Sequence, residues 1–405
     1  SQRGGYAPMI GGLGYVLAQG VGSYTLKTAA AKDIWVQSTT RDRTVTTVPA
    51  ELSALTAAGT GSVSSPRVLS DLFWTGRYAE RAENMTRLLT ITRERFHEYR
   101  HRQNLDASAC VPVLLSALAD ITGTDTGGDA AEQVAVAPST LLSLTFDVAR
   151  PGSLAQSVER LGLAARAVRD QLSNDTWMVL TAVDRAVLDQ PAPLSDSLVR
   201  ADAQMAASQA STLRGMLALS GVAAESMVRD AGWTTMDTGK RIERGLWLAA
   251  LLRAAMTEVR SAEAEQTITE ATLIACESSV IYRRRNLGAV SVAAVAELLL
   301  FDAENPRSLA FQLERLRENL RAMPGSSGSS RPERLLDEIM TRLRRLDPAD
   351  LEHADSDGRR TELAGLLDGV DSGLRELSNA ITDTQLALPG GMQPLWGPDQ
   401  RRSLP

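Results

Sequence analysis

Ser65-Pro66-Arg67-Val68-Leu69-Ser70-Asp71-Leu72-Phe73-Trp74-Thr75-Gly76-Arg77-Tyr78-Ala79-Glu80-Arg81-Ala82-Glu83-Asn84 decides the fold. Pro66 follows Ser64 and Ser65, a strong signal for a helix start, because proline at the first helical position gives up an amide that has no partner there. Leu69, Leu72, Phe73 and Gly76 then recur at helical spacing and mark one face. From Pro66 onward almost every segment keeps that period. Helices are expected over 105–121, 138–148, 151–173, 175–190, 194–219, 222–230, 234–262, 267–285, 289–301, 306–322, 331–346 and 358–386. Turn residues punctuate Thr122–Asp129, Pro191–Pro193 and the Gly-Ser run between Met323 and Pro332.

The chain repeats itself. Pro151-Gly-Ser-Leu-Ala-Gln-Ser-Val-Glu-Arg-Leu161 and Pro306-Arg-Ser-Leu-Ala-Phe-Gln-Leu-Glu-Arg-Leu316 share seven of eleven positions. An earlier pair precedes it in the same order: Thr75-Gly-Arg-Tyr-Ala-Glu-Arg81 and Thr238-Gly-Lys-Arg-Ile-Glu-Arg244. An ordered double match points to duplication. The expected fold class is therefore all-α, an internally duplicated helical bundle over 66–387, with halves near 66–190 and 225–345.

The segment before it differs. Residues 1–38 are glycine-rich, with strand-like runs at Tyr15-Val-Leu17, Ser23-Tyr-Thr-Leu26 and Asp33-Ile-Trp-Val36. Residues 1–45 hold five basic and two acidic residues, whereas the whole chain has 43 basic and 49 acidic residues and a net charge of −6. A Thr/Ala/Gly/Ser-rich stretch over 39–65 reads as a linker and the Pro/Gly-rich 388–405 as a loose tail.

Composition excludes several classes. The net negative charge argues against a nucleic-acid partner held by a broad basic field. No run of about 18 apolar residues is long enough to span a membrane, and the start lacks a basic-then-apolar signal. Two cysteines, Cys110 and Cys276, make no disulfide framework and read as reduced thiols of a cytoplasmic protein.

The repeated helices carry the chemistry. Leu69, Phe73, Gly76 and Glu80 share one face; Met236, Gly239, Glu243 and Trp247 share its counterpart. Glu80 and Glu243 should thus point partly inward, and Glu83 extends the acidic face. A buried carboxylate must be paired or hydrogen-bonded, and Arg81, Arg244 or the cluster Arg283-Arg284-Arg285 can provide the partner; Arg77 joins Arg81 and the acids in the candidate polar pocket. Two readings follow: an ion-pair network that fixes helix packing, or an inter-helical polar pocket for an anionic or amine ligand.

His97-Glu98-Tyr99-Arg100-His101 fits the H-E-x-x-H pattern, in which two histidines grip zinc and the glutamate serves as base. It lies in a heavily charged helix end, Arg100 inside it is at odds with a buried protease helix, and the remaining histidine is His353. A solvated helix terminus is the expectation, with no metal site. Glu94-x-x-His97 lacks the second Glu-x-x-His that a di-iron bundle needs. No Gly-x-x-x-x-Gly-Lys-Ser/Thr loop occurs, and Gly11-Gly-Leu-Gly14 has the wrong spacing for a dinucleotide fingerprint.

The stretch 65–84, with Ile281-Tyr-Arg-Arg-Arg285 and Asp302-Ala-Glu-Asn-Pro-Arg-Ser-Leu-Ala-Phe-Gln-Leu-Glu-Arg315, resembles the bacterial alpha-E domain, an all-helical family, over about residues 65–385. That family is found beside or fused to circularly permuted ATP-grasp proteins, transglutaminase-like proteins and peptidases, which implies peptide synthesis or modification. Tyr6-Ala-Pro-Met-Ile-Gly-Gly-Leu-Gly14 and Ala31-Lys-Asp-Ile-Trp-Val36 resemble the last stretch of the permuted ATP-grasp domain. Where that family tends to have a glycine-rich run before Lys-Asp, this chain has Ala29-Ala-Ala31. The resemblance implies a C-terminal piece of a longer fusion. Its parent would use ATP and magnesium to join a carboxylate to an amine, with Lys32 and Asp33 as remnants of that site. In this chain the expectation is no cofactor of its own. The helical part would bind a peptide or amino-acid substrate or dock a partner enzyme. The alternatives are an independent site around the Glu/Arg pairs and, more remotely, a zinc metalloprotease.

Overall fold

Ser65 caps the first helix by accepting the Val68 amide, and Pro66 takes its first turn. In the computed structural model, helix α1 runs from Pro66 to Tyr99 and buries almost its whole length. The structure describes residues 65–386 except 125–127, 190–197, 287–289 and 324–325, together with the backbone of five short strands before residue 48. The chain divides into two units, Ser1–Val63 and Ser64–Pro405.

In the first unit, β1 (Tyr6–Pro8), β2 (Tyr15–Gln19) and β3 (Ser23–Leu26) pair antiparallel in that order, with Tyr6 opposite Leu17 and Val16 opposite Leu26. β4 (Asp33–Gln37) pairs antiparallel with β5 (Arg43–Thr47). β5 falls inside the stretch read as a linker. Lys32 and the tail 388–405 lie outside the described residues, and Asp33 is the first residue of β4.

Among its described residues the second unit is built of helices, with turns and one isolated bridge between Glu258 and Arg359. After α1 come α2 (Cys110–Thr122), α3 (Ala130–Phe146), α4 (Leu154–Ala167), α5 (Asn174–Val187), α6 (Leu198–Glu225) and α7 (Ala231–Met256). Then follow α8 (Ala262–Ala275), α9 (Ser279–Arg285), α10 (Val292–Ala296), α11 (Leu309–Ala322), α12 (Arg331–Arg344) and α13 (Thr361–Thr384). No helix among the described residues is long and apolar enough to cross a membrane.

α1 and α7 form the central crossing, the most extensive helix pair of the fold; α4 packs on α1, and α11 and α13 pack on α7. Two glycines permit this approach. A Cβ at Gly76 would fall 2.0 Å from the Met236 carbonyl oxygen, and one at Gly239 would fall 2.2 Å from the Phe73 carbonyl oxygen. Only a residue without a side chain fits either place. Phe73, Leu72, Met85, Leu88 and Leu89 fill the core around α1, and Ile242, Leu248 and Leu251 do so around α7.

Many helix boundaries shift by a few residues from the sequence reading, and three larger departures stand out. α3 begins at Ala130, because Asp129 and Glu132 form a capping box; Pro138, read as a start, lies inside the helix. α6 runs unbroken through Gly221, which stands in open space. The helix expected over 267–285 breaks at Cys276–Ser278, where Glu277 adopts a left-handed φ of 53°.

Candidate functional site

The α1–α7 crossing places the predicted acids and bases face to face. Glu243 receives Arg81 through Nε at 2.6 Å and Nη2 at 3.0 Å, and Arg77 through Nε at 2.8 Å and Nη2 at 2.7 Å. Arg77 also donates to Ser378 Oγ on α13 at 2.9 Å, and its guanidinium lies 5.1 Å from the Trp74 ring centroid. Glu80 receives Arg244 on both oxygens, Nε at 2.5 Å and Nη2 at 2.8 Å. Arg244 spends its remaining arm on the Pro306 carbonyl. All five side chains are buried. The pattern is reciprocal: the Glu of each Glu-Arg dipeptide holds the Arg of the other.

One turn further along α1, Glu83 accepts Arg307 Nη2 at 2.5 Å and Arg87 Nε at 3.1 Å. Arg87 reaches on to Glu277, the residue with the left-handed φ. Burial is the largest single influence on Glu80 and pushes it up. Arg244, aided by Lys240, outweighs burial and holds the acid below the usual carboxylate range. Glu83 follows the same logic: burial raises it, and Arg307, Arg244 and Arg87 bring it down to about 2. Glu80 and Glu83 are therefore ionised at neutral pH.

Arg77, Glu80, Arg81, Glu83, Glu243 and Arg244 thus come together as the sequence predicts. Arg283 and Arg284 do not: α9 is a single short helix that buries Tyr282 and leaves both arginines in solvent. Their neighbour Arg285 pairs with Asp302 instead. Sequence reasoning missed Arg87, Arg307 and Lys240. Arg307 sits within the repeated Pro-x-Ser-Leu-Ala segment, which could have marked it.

α1 ends at Tyr99, so His101 lies in the turn beyond it and is exposed, while His97 Nε2 bonds Asp202 Oδ1 on α6 at 2.8 Å. Among the described residues no three His, Cys, Asp or Glu side chains are grouped to hold a metal. Burial pushes both thiols, Cys110 and Cys276, up to about 12, which leaves them protonated and unreactive.

Beside Glu80 the crossing opens into a cavity of about 530 Å³ between α1, α4, α5, α6, α7 and α11. That is within the range of small-molecule sites. Trp233, Met216, Leu219, Leu180 and Phe311 form apolar wall; Glu80, Asp237, Lys240, Arg241 and Arg315 supply charge. Asp237 is taken by Arg241 at 2.9 Å and by Asn319 at 2.8 Å. Arg315 pairs with Glu318 at 2.6 Å. Lys240 Nζ donates to Ser220 Oγ at 3.1 Å, and burial pushes its ammonium down against the pull of Glu80.

An all-helical unit with Glu-Arg dipeptides locked across its central crossing matches a known description. The sequence model of the Alpha-E family, a predicted alpha-helical domain with a conserved ER motif, matches residues 65–386. The chain belongs to the Alpha-E family. Two of its Glu-Arg pairs, Glu80-Arg81 and Glu243-Arg244, are those at the α1–α7 crossing. The whole chain is also 66 % identical, over 413 aligned residues, to "Uncharacterized protein Mb2597" of Mycobacterium bovis and "Uncharacterized protein Rv2567" of Mycobacterium tuberculosis. The match takes in 100 % of this chain and 47 % of each relative. The chain thus spans about half the length of the curated relatives it matches. No solved structure matches it.

Proposed function

We propose that this Alpha-E unit is a binding module, without chemistry of its own, in a longer cytoplasmic protein that makes or modifies peptide bonds. The observation that carries the reading is the cavity beside Glu80. It is large enough for a small ligand, walled by apolar side chains and furnished with a few charged groups. The carboxylates next to it are unsuited to reaction. Both oxygens of Glu80 and of Glu243 are engaged by arginine, so neither is poised to accept a proton. In this reading the Glu/Arg lattice is the frame and the cavity is the site.

The larger context rests on two supports: the resemblance of residues 6–14 and 31–36 to the end of a permuted ATP-grasp domain, and a match that takes in about half of each relative. ATP and magnesium would belong to the longer protein. The substrate class is a peptide or amino acid, and the partners are an upstream ATP-grasp domain and transglutaminase-like or peptidase proteins. The test is a comparison of the 405-residue chain with a full-length relative. The chain alone should bind small peptides, seen as a raised melting temperature, without hydrolysing ATP; the full-length protein should turn over ATP when an amine and a carboxylate are supplied. ATP turnover by the chain alone, or a full-length protein inert toward ATP, would sink the proposal.

The bundle, in the same reading, arose by duplication. The Gly76–Met236 and Gly239–Phe73 contacts mirror each other, as do the Arg81–Glu243 and Arg244–Glu80 pairs. Ser153 and Ser308 cap α4 and α11, and each hydroxyl donates to an aspartate carbonyl six residues earlier, Asp147 and Asp302. In both loops that aspartate's side chain accepts the amide two residues on.

A further inference from the structure

The two halves of the crossing treat one position differently. Arg77 of α1 and Lys240 of α7 follow the glycine in the repeated Thr-Gly segments. Arg77 bridges to Glu243. Lys240 makes no ion pair within 4 Å among the described residues; its single hydrogen bond goes to the neutral Ser220 hydroxyl. An ammonium has three donors, so two remain without an acceptor in a side chain that lines the cavity. The neighbouring acids already have partners, and none is within 4 Å of its ammonium among the described residues. Glu80 is held on both oxygens by Arg244, Asp237 by Arg241 and Asn319, and Glu318 by Arg315. The other cation, Arg229, stacks 4.2 Å from the Trp233 ring centroid and donates to the Ala224 carbonyl. One lysine therefore lines the cavity without a direct ion pair among the described residues, although Glu80 attracts it, and Leu180, Met216, Leu219, Trp233 and Phe311 line the same space.

We infer that the cavity takes a carboxylate carried on an apolar body, with Lys240 as the anchor of the carboxylate and Ser220 orienting the ammonium. A half-buried ammonium with no direct ion pair is incompletely satisfied, and a ligand that supplies a carboxylate together with apolar surface meets both the charge and the apolar wall. Two sources share this chemistry: the C-terminus of a peptide ending in apolar residues, and a fatty acid. The inference deepens the binding-module reading and rests on it.

Trp233 lines the cavity, so its fluorescence reports occupancy. The 405-residue chain is titrated with N-acetyl-Leu-Phe and its C-terminal amide, and with decanoate and decan-1-ol. Each carboxylate that binds should bind at least tenfold more tightly than its neutral counterpart, as charge-assisted hydrogen bonds allow. In Lys240→Met that gap should close while the neutral ligands bind as before, which also shows that the variant is folded; Lys240→Arg should keep the preference. A preference for the peptide pair alone or for the decanoate pair alone supports the inference and names the source. Equal binding of carboxylate and neutral ligand, or a preference that survives Lys240→Met, overturns the role of Lys240 and leaves the cavity a binding site. If none of the four ligands binds, the inference and the binding-module reading fall together.

Discussion

The Glu243 end and the Glu80 end of the α1–α7 crossing are built from the same short motif and behave differently. At Glu243, two arginines close on one carboxylate, Ser378 and Trp74 hold Arg77 in place, and the space left is about 30 Å³. At Glu80 a single arginine satisfies the carboxylate, the second cation is a lysine turned to a serine, and the adjoining cavity is about 530 Å³. Arginine's planar fork can bind a carboxylate and an aromatic face at once, whereas lysine is a point charge on a flexible stem. One end is a brace and the other an opening. The same short motif is closed tightly at one end of the crossing and borders open space at the other.

Breaking the brace should have the largest effect. Glu243→Gln strands two buried guanidinium groups, and about 3–5 kcal/mol of stability should be lost in urea unfolding. Glu80→Gln strands one and should cost less; equal losses would contradict the asymmetry. Acid sharpens the comparison next, because the same end of α1 carries Glu83. Its carboxyl is held at about 2 in the folded protein, below its usual value near 4.5. The stabilisation is complete above about pH 4.5 and is lost as the pH falls toward 2, on the order of 3 kcal/mol in all. Glu83→Gln should flatten that part of the stability–pH curve.

Gly76→Ala and Gly239→Ala test the mirror relation. Each pushes a methyl group into the carbonyl of the opposite helix, so each should cost about 1–3 kcal/mol or more, and by similar amounts. A large loss at one glycine alone would break the symmetry of the crossing. The smallest effect should come from the cavity. Lys240→Met removes a half-buried charge that has no direct ion pair among the described residues, so stability should change by less than about 1 kcal/mol, or rise. Arg77→Met, at the equivalent place, should lower it measurably.

Much of this was legible in residue order. The helix start at Pro66, the period that follows it, the repeated Thr-Gly-x-x-x-Glu-Arg segments and the inward face of Glu80 and Glu243 all follow from local rules of helix geometry. The capping box at Asp129 and Glu132 is also present in the sequence, with Pro138 inside the helix it starts. Such rules act over a few residues, so the chain order alone contains them. What only the tertiary structure decided is which arginine meets which carboxylate. Arg81 and Glu243 are 162 positions apart, and Arg307 and Glu83 are 224 apart. Arg283 and Arg284, equally plausible in sequence, face solvent because α9 is short. The cavity, too, exists only where six helices fail to close. Helical periodicity tells a side chain which face it occupies; packing alone decides what stands opposite it.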